Sequence, residues 1–492
     1  MASRVYSLSW TDLRISFKEL SMIFRLLSFV MLLPLAATFG YNTGKTVYMR
    51  LLDSATFITP FLALYLLYRI LYKLGTGEAK STKHLMLTVG LAWMTMALIG
   101  ALPFIIRGVL TPLDAFFESM SGWTTTGFSM ITDFENTDRD ILLYRGIMQG
   151  VGGLGVISLG MMVLLQGGFM GTGYIDVGVQ KIKPNIKNTL VEAWKIYGLY
   201  ILFGVVMLYI AGMSVFDAVN HSMSAVATGG FSTHSDVGYY NSTAIEVVLM
   251  VLMFLGMTSF IMHFKIFNGD TSVLRSEELK CLVGVILVSV VLIGASMWGK
   301  AVPGVDTHSV FDVLRKTSFH VVSGMSTAGF NTVDYGKWPE FAKTWVTGLM
   351  YIGGMSSSTA GGIRVIRFVI LLKIVHYCLK KLVLPKTTVV IMKLDGKILQ
   401  EDVLMVIGYS VAYLSICVIL SLILMLYGYD ALDSVFTIMS SMGNDGLGVI
   451  SGDGWNKMPD AGKLTIAFAM WVGRVEIYPA LLIFRNLLGR LS

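Results

Sequence analysis

Charge is scarce in this chain. Asp, Glu, Lys and Arg together make up 14% of its 492 residues, against roughly 25% in soluble domains. A large water-facing surface needs more, so a soluble globular protein of this length is excluded. Cysteine is scarcer still. Cys281, Cys378 and Cys417 are odd in number, lie in or beside apolar segments and have no metal-like spacing. That excludes a disulfide framework and a thiolate metal centre, and the three read as packed or reduced thiols. The seven histidines are scattered and form no H-E-x-x-H. No nucleophile–base pair or ATPase machinery is visible, so the chain reads as a non-enzyme. Only ten prolines and no low-complexity stretch occur, so no linker separates independent domains.

What is present is apolar length. Hydrophobic residues make up 54% of the chain. Apolar stretches run over 21–39, 54–72, 84–106, 190–212, 245–262, 281–298, 402–427 and 464–484. Each approaches the roughly 20 residues that a helix needs to cross a hydrocarbon core of about 30 Å. The first begins too late, and stays apolar too long, for a cleaved leader, and reads as retained. The fold class is therefore an all-α polytopic membrane protein. The net charge of +7 does not point to nucleic acid. Its bases sit in loops: Lys73, Lys80 and Lys83; Lys181, Lys183 and Lys187; and Arg364, Arg367, Lys373, Lys380, Lys381, Lys386, Lys393 and Lys397. The intervening loops are acidic, as in Asp133, Glu135, Asp138 and Asp140. The positive-inside bias makes the basic loops and both termini cytoplasmic.

One pattern, Ser-x-x-x-(Thr/Asn)-x-Gly-(Phe/Leu), occurs four times, starting at Ser121, Ser224, Ser323 and Ser440. It ends in Thr125-Thr126-Gly127-Phe128, Thr228-Gly229-Gly230-Phe231, Thr327-Ala328-Gly329-Phe330 and Asn444-Asp445-Gly446-Leu447. Asp114, Asp217 and Asp433 stand seven residues before the Ser in three copies. The final glycines are 103, 99 and 117 residues apart, so one unit is repeated four times. Each unit reads as a long helix, a segment of 10–12 residues too short to span, the Gly loop, and a second long helix. The short segment should enter the membrane and turn back. Irregular backbone at that depth is tolerated only where it is buried in protein or lines water. Four such loops around one axis can turn carbonyl oxygens inward and replace the hydration shell of a potassium-sized ion. The domains follow as two N-terminal helices (1–83) and pore units at 84–189, 190–278, 279–400 and 401–492. About ten spanning and four re-entrant helices result. In the fourth copy, Ser441-Met-Gly443-Asn444 is an alternative register, but spacing from Asp433 and Ser440 favours Gly446.

These motifs resemble the Trk/Ktr/HKT superfamily of potassium transporters. The two extra N-terminal helices make the chain most similar to its TrkH-type members, and the resemblance covers nearly the whole length. It implies that residues 125–127, 228–230, 327–329 and 444–446 hold potassium, the transported ion. It also implies that Gly127, where a Ser accompanies sodium permeation, goes with potassium. A second motif, Gly353-Gly354-Met-Ser356-Ser357-Ser358-Thr359-Ala-Gly361-Gly362, resembles the family's intramembrane gating loop. Its small residues cannot sustain a helix, and close helix packing is the alternative reading. Arg474, in Gly473-Arg474-Val-Glu-Ile, resembles the family's arginine near the pore. A charge amid apolar residues normally faces a cavity or a partner, the alternative being an Arg reaching to the interface. Glu476, two residues on, points elsewhere on the helix.

The resemblance further implies a homodimer in a bacterial inner membrane, docked on a TrkA-like cytosolic ring that binds NAD and ATP. The basic segment 364–397 would be the docking surface, or would bind anionic membrane lipids instead. The expected function is potassium uptake. The competing expectation is a coupled transporter of sodium or another solute, for which a broken helix at 353–362 would serve as the binding site. Two Gly-rich matches carry no function. Gly150-Val-Gly152-Gly-Leu-Gly155 lies within an apolar helix with no strand before it, so helix packing explains it. Gly44-Lys45-Thr46 lacks the first glycine of a phosphate loop, since Phe39 stands there.

Overall fold

In the computed structural model the described residues are 9–40, 46–77, 81–165, 186–385, 391–395, 397–398, 403–450, 454–455 and 457–488. The chain opens with α1 (Trp10–Val30), the short α2 (Leu35–Gly40) and α3 (Val47–Leu74). The next stretch holds α4 (Thr82–Gly100), the short α5 (Leu102–Ile106), α6 (Pro112–Trp123) and α7 (Arg139–Leu165). It is followed by α8 (Ile186–Ile210), α9 (Val215–Val226), α10 (Thr243–Met257) and α11 (Phe260–Phe267). Then come α12 (Glu277–Met297), α13 (Val310–Ser326), α14 (Glu340–Ile352) and α15 (Val365–Val383). A two-stranded antiparallel hairpin, β1 (Lys393–Leu394) and β2 (Lys397–Ile398), precedes the last helices. These are α16 (Val403–Leu426), α17 (Ala431–Gly443), α18 (Asp460–Arg474) and α19 (Ile477–Leu488).

The four helices that lead into the Gly loops are short: α6 and α9 have 12 residues each, α13 has 17 and α17 has 13. Their sequences start them cleanly. Thr111, Ser214 and Ser309 accept the N–H groups of Asp114, Asp217 and Asp312 as N-caps. A carboxylate in the first turn also suits the positive helix end. The Asp seven residues before the pattern Ser is thus a helix-start residue. Its absence from the third copy has a geometric cause: α13 is longer, so its capped Asp312 stands farther back.

Among the described residues, six helices are long and apolar enough to span a membrane. Two bent pairs, α10–α11 at 97° and α18–α19 at 117°, raise the number to eight. The difference from ten comes from α7, which runs to the edge of the described residues, and from the break between α14 and α15.

Ion pairs tie the units to one another. Lys463 on α18 meets Asp114 on α6 at 2.5 Å. Arg315 and Lys316 on α13 meet Glu246 on α10 at 2.6 and 3.0 Å. Arg107 binds Asp53, Asp138 and Asp140, fastening α3 to the stretch that follows. The core residues around α6, α13, α17 and their loops are almost all buried. By contrast Leu202, Ile210, Leu287, Val291, Leu404 and Leu426 lie exposed on the outer faces, as a lipid-facing perimeter requires.

Candidate functional site

The four short helices end in one conformation. Thr125, Thr228, Thr327 and Asn444 have φ of 53°, 52°, 56° and 54°. The next residue in each case, Thr126, Gly229, Ala328 or Asp445, donates its N–H to the carbonyl of Ser121, Ser224, Ser323 or Ser440 at 2.8–3.0 Å. Thr125, Thr228, Thr327 and Asn444 themselves donate to Gly122, Ala225, Gly324 and Ser441. This is the Schellman closure of a helix, with the residue usually supplied by glycine replaced by Thr or Asn. A β-branched residue in the left-handed region is strained by about 1–3 kcal/mol. Two residues on, Gly127, Gly230, Gly329 and Gly446 return to positive φ at 98°, 77°, 72° and 87°. The fourth loop aligns with the others at Asn444 and Gly446, while Gly443 still belongs to the helix.

The loops close on one another. A Cβ built on Gly127 would fall under 3.0 Å from Gly229 O, one on Gly230 from Ala328 O, one on Gly329 from Asp445 O and one on Gly446 from Thr126 O. Each glycine thus sits against the carbonyl of the next loop, and the fourth returns to the first. Only glycine combines that conformation with that proximity. All four glycines line one cavity of about 70 Å³, together with Arg145, Phe231, His234 and Asp236. The C-terminal, partly negative ends of α6, α9, α13 and α17 therefore converge on this ring.

Residues 353–364, between α14 and α15, form the irregular segment packed against the ring. Gly353, Ser357, Gly362 and Arg364 have positive φ. The Gly361 N–H donates to Thr327 Oγ1 at 2.8 Å. The Thr359 hydroxyl lies 2.9 Å from Val226 O and from Gly256 O. Ser356 donates its N–H to Glu278 at 2.8 Å, Ser358 donates to Met355 O, and Gly354 packs on Ala360 and Met257. Arg474 is buried at 5% exposure and donates to Thr359 O and Gly152 O, both at 3.2 Å. It bridges the irregular segment to α7. Glu476 pairs instead with Arg367 at 3.1 Å and lies 3.9 Å from Arg364.

Several residues at this site carried no signal in the repeated pattern. Arg145 and Glu118, 2% and 0% exposed at their side chains, pair at 2.7 Å. Glu118 also accepts the Met130 N–H, and Arg145 donates to Ser232 O. Four residues along α7, Gln149 contacts the second loop. A charge and an amide on an otherwise apolar helix were the available clue. Arg364 and Arg367 leave the basic segment for the interior. Lys373 joins Glu277 and Lys393 O. Lys380 and Lys381 remain exposed at the end of α15, and Lys386 lies outside the described residues. Gly152 packs against Trp123 O, Gly153 against Ala227 and Gly155 against Trp93, which accounts for the Gly-rich run in α7. Among the described residues, no group of three or more His, Cys, Asp and Glu could hold a metal ion, and all three cysteines are free.

Apolar helices bent and broken around a central ring of loops define a multi-pass membrane protein. The profile of the TrkH family, described as cation transport protein, matches residues 71–490. This chain is 33% identical over 426 residues to the Trk system potassium uptake protein TrkH of Salmonella typhimurium, covering 83% of this chain and 86% of that one. It is 30% identical over 477 residues to an uncharacterized cation transporter of Methanocaldococcus jannaschii, covering 94% of each. The crystal structure of the potassium transporter TrkH from Vibrio parahaemolyticus superposes with a TM-score of 0.84 at 28% identity, covering 96% of this chain and 98% of that one. The chain belongs to the TrkH family of cation transport proteins.

Proposed function

We propose that this chain carries potassium across the cell membrane through the ring formed by residues 125–127, 228–230, 327–329 and 444–446. The carrying observation is the cyclic closure of four equivalent loops around one cavity. Such a ring offers backbone oxygens in place of water, which suits a monovalent cation and no organic solute. Relatives named as potassium uptake proteins support the choice of ion. The architecture is four pore units plus two N-terminal helices, with the boundaries given above. The protein sits in a bacterial inner membrane with both termini cytoplasmic.

Residues 353–362 act as the gate and Arg474 as its latch. The hydrogen bonds from Gly361 to the third loop and from Arg474 to Thr359 support both roles. A cation leaving the ring also meets the guanidinium charge. The working form is a homodimer on a TrkA-like nucleotide-binding ring. The exposed end of α15 supports a partner there: Leu382 and Val383 are 82% and 83% exposed beside Lys380 and Lys381. Rubidium uptake by purified protein in liposomes, competed with potassium and sodium, tests the whole reading. Competition by sodium equal to that by potassium would overturn it.

A further inference from the structure

We infer that Gln149 is a positioning residue of the ring: its side-chain amide sets the backbone of the second loop and thereby the ring's discrimination between cations. The inference rests on the ring being the permeation site. Gln149 is fully buried on α7. Its Nε2 donates to Gly229 O at 2.5 Å, and its Oε1 accepts the Phe231 N–H at 3.0 Å. The same Oε1 accepts the Ser224 hydroxyl at 2.7 Å. One planar amide therefore grips the backbone on both sides of Gly230, as a neighbouring strand would. Gly229 O is also the oxygen against which Gly127 packs, so the grip acts where the first and second loops meet.

Two independent features mark the second loop as built around this side chain. The residue before the final glycine is Thr126, Ala328 or Asp445 in the other copies and Gly229 here. A Cβ at Gly229 would collide with the Gln149 amide, under 3.0 Å from its Cδ and both terminal atoms. The pattern serine has also changed partner. Ser121 and Ser440 accept the N–H of Gly127 and Gly446 at 3.0 and 3.1 Å and Ser323 donates to Phe330 O at 2.9 Å, all within their own copies, whereas Ser224 donates out of its copy to Gln149. In this copy the amide braces the loop from another helix, holding the Phe231 N–H just beyond the final glycine. Arg145, one turn earlier on the same face of α7, holds Ser232 O at 2.8 Å and lies 3.9 Å from the centre of the Phe231 ring. The two side chains together back residues 229–232. A carbonyl held by a fixed donor cannot rotate to suit a smaller ion, which is how a brace acquires a selectivity role.

The test is Gln149→Met in the full-length protein reconstituted in liposomes, with rubidium uptake competed by potassium and by sodium. The substitution keeps the length and bulk of the side chain and removes both the donor to Gly229 O and the acceptor of the Phe231 N–H. The expected result is retained uptake with the potassium-over-sodium preference reduced about tenfold, the scale of one buried carbonyl left without its donor. An unchanged preference in folded, transporting protein would overturn the inference. If Gln149→Met does not fold, Ser224→Ala removes one bond to the amide while leaving Gly229 O held. A preference lowered about twofold supports the brace, and wild-type preference overturns it. Gly127→Ser in parallel separates the two levels. If Gly127→Ser shifts preference and Gln149→Met does not, the brace fails and the ring stands. If neither shifts it, the permeation reading fails with it.

Discussion

Gly361→Ala probes the gate through its tightest point. Gly361 is wedged between Gly353 on its own segment and Gly443 at the end of α17. A methyl carbon there would overlap Gly443 O, well inside the 3.0 Å that real Cβ atoms keep. That oxygen is backbone at the foot of the fourth loop, so it yields less readily than a side chain. Clearing the overlap takes on the order of 1 Å of movement, and overpacking of this kind costs about 1–3 kcal/mol. The shift also lengthens the 2.8 Å bond from Gly361 N–H to Thr327 Oγ1, costing about 0.5–1.5 kcal/mol more. Together these destabilise the packed arrangement by about 2–4 kcal/mol. At about 1.4 kcal/mol per tenfold, the closed-to-open ratio falls by about 30- to 700-fold. Rubidium uptake into liposomes without any cytosolic partner should therefore rise, with the potassium-over-sodium preference unchanged. Unchanged uptake with normal expression and a monodisperse peak would refute the gate assignment. Raised uptake with lost preference would show that the ring, and not residues 353–362, had moved.

Gly127→Ser should lower potassium-over-sodium preference in the same assay, because the added side chain meets Gly229 O. Arg474→Ala removes the bonds to Thr359 O and Gly152 O and should raise basal uptake at constant preference; a fall at equal expression would assign Arg474 to the scaffold. Glu118→Ala leaves the Arg145 charge buried without its carboxylate and should cost about 3–5 kcal/mol, read as an earlier thermal transition in detergent, with Glu118→Ala/Arg145→Met regaining part of it. Charge reversal at Lys380, Lys381 and Lys386 should weaken co-purification with a nucleotide-binding ring; undiminished binding would leave lipid headgroups as what those lysines meet.

Membrane class, the apolar helices and the four loop positions were legible because they depend on short-range rules. Span length follows from a run of apolar residues. The helix-start acids follow from capping. The final glycines follow from a backbone that needs positive φ near another chain segment. The instability of residues 353–362 as a helix followed from their composition. The fate of individual charges was not legible, because it depends on which helices meet. Arg364 and Arg367 look like part of a basic cytoplasmic stretch, yet the bend at Glu476 brings a carboxylate to them, burying Arg367 and partly burying Arg364. Arg474 finds carbonyls because the break at Gly353 lays Thr359 beside it. Gln149 stands out as an amide on an apolar helix, but the Gly229 carbonyl it holds is 80 residues away. The chain's own pattern determined that four loops of one kind exist. Only the tertiary structure decided that they meet in a closed ring, because three of its backbone contacts join segments about a hundred residues apart and the closing one, Gly446 to Thr126, joins segments about 320 apart.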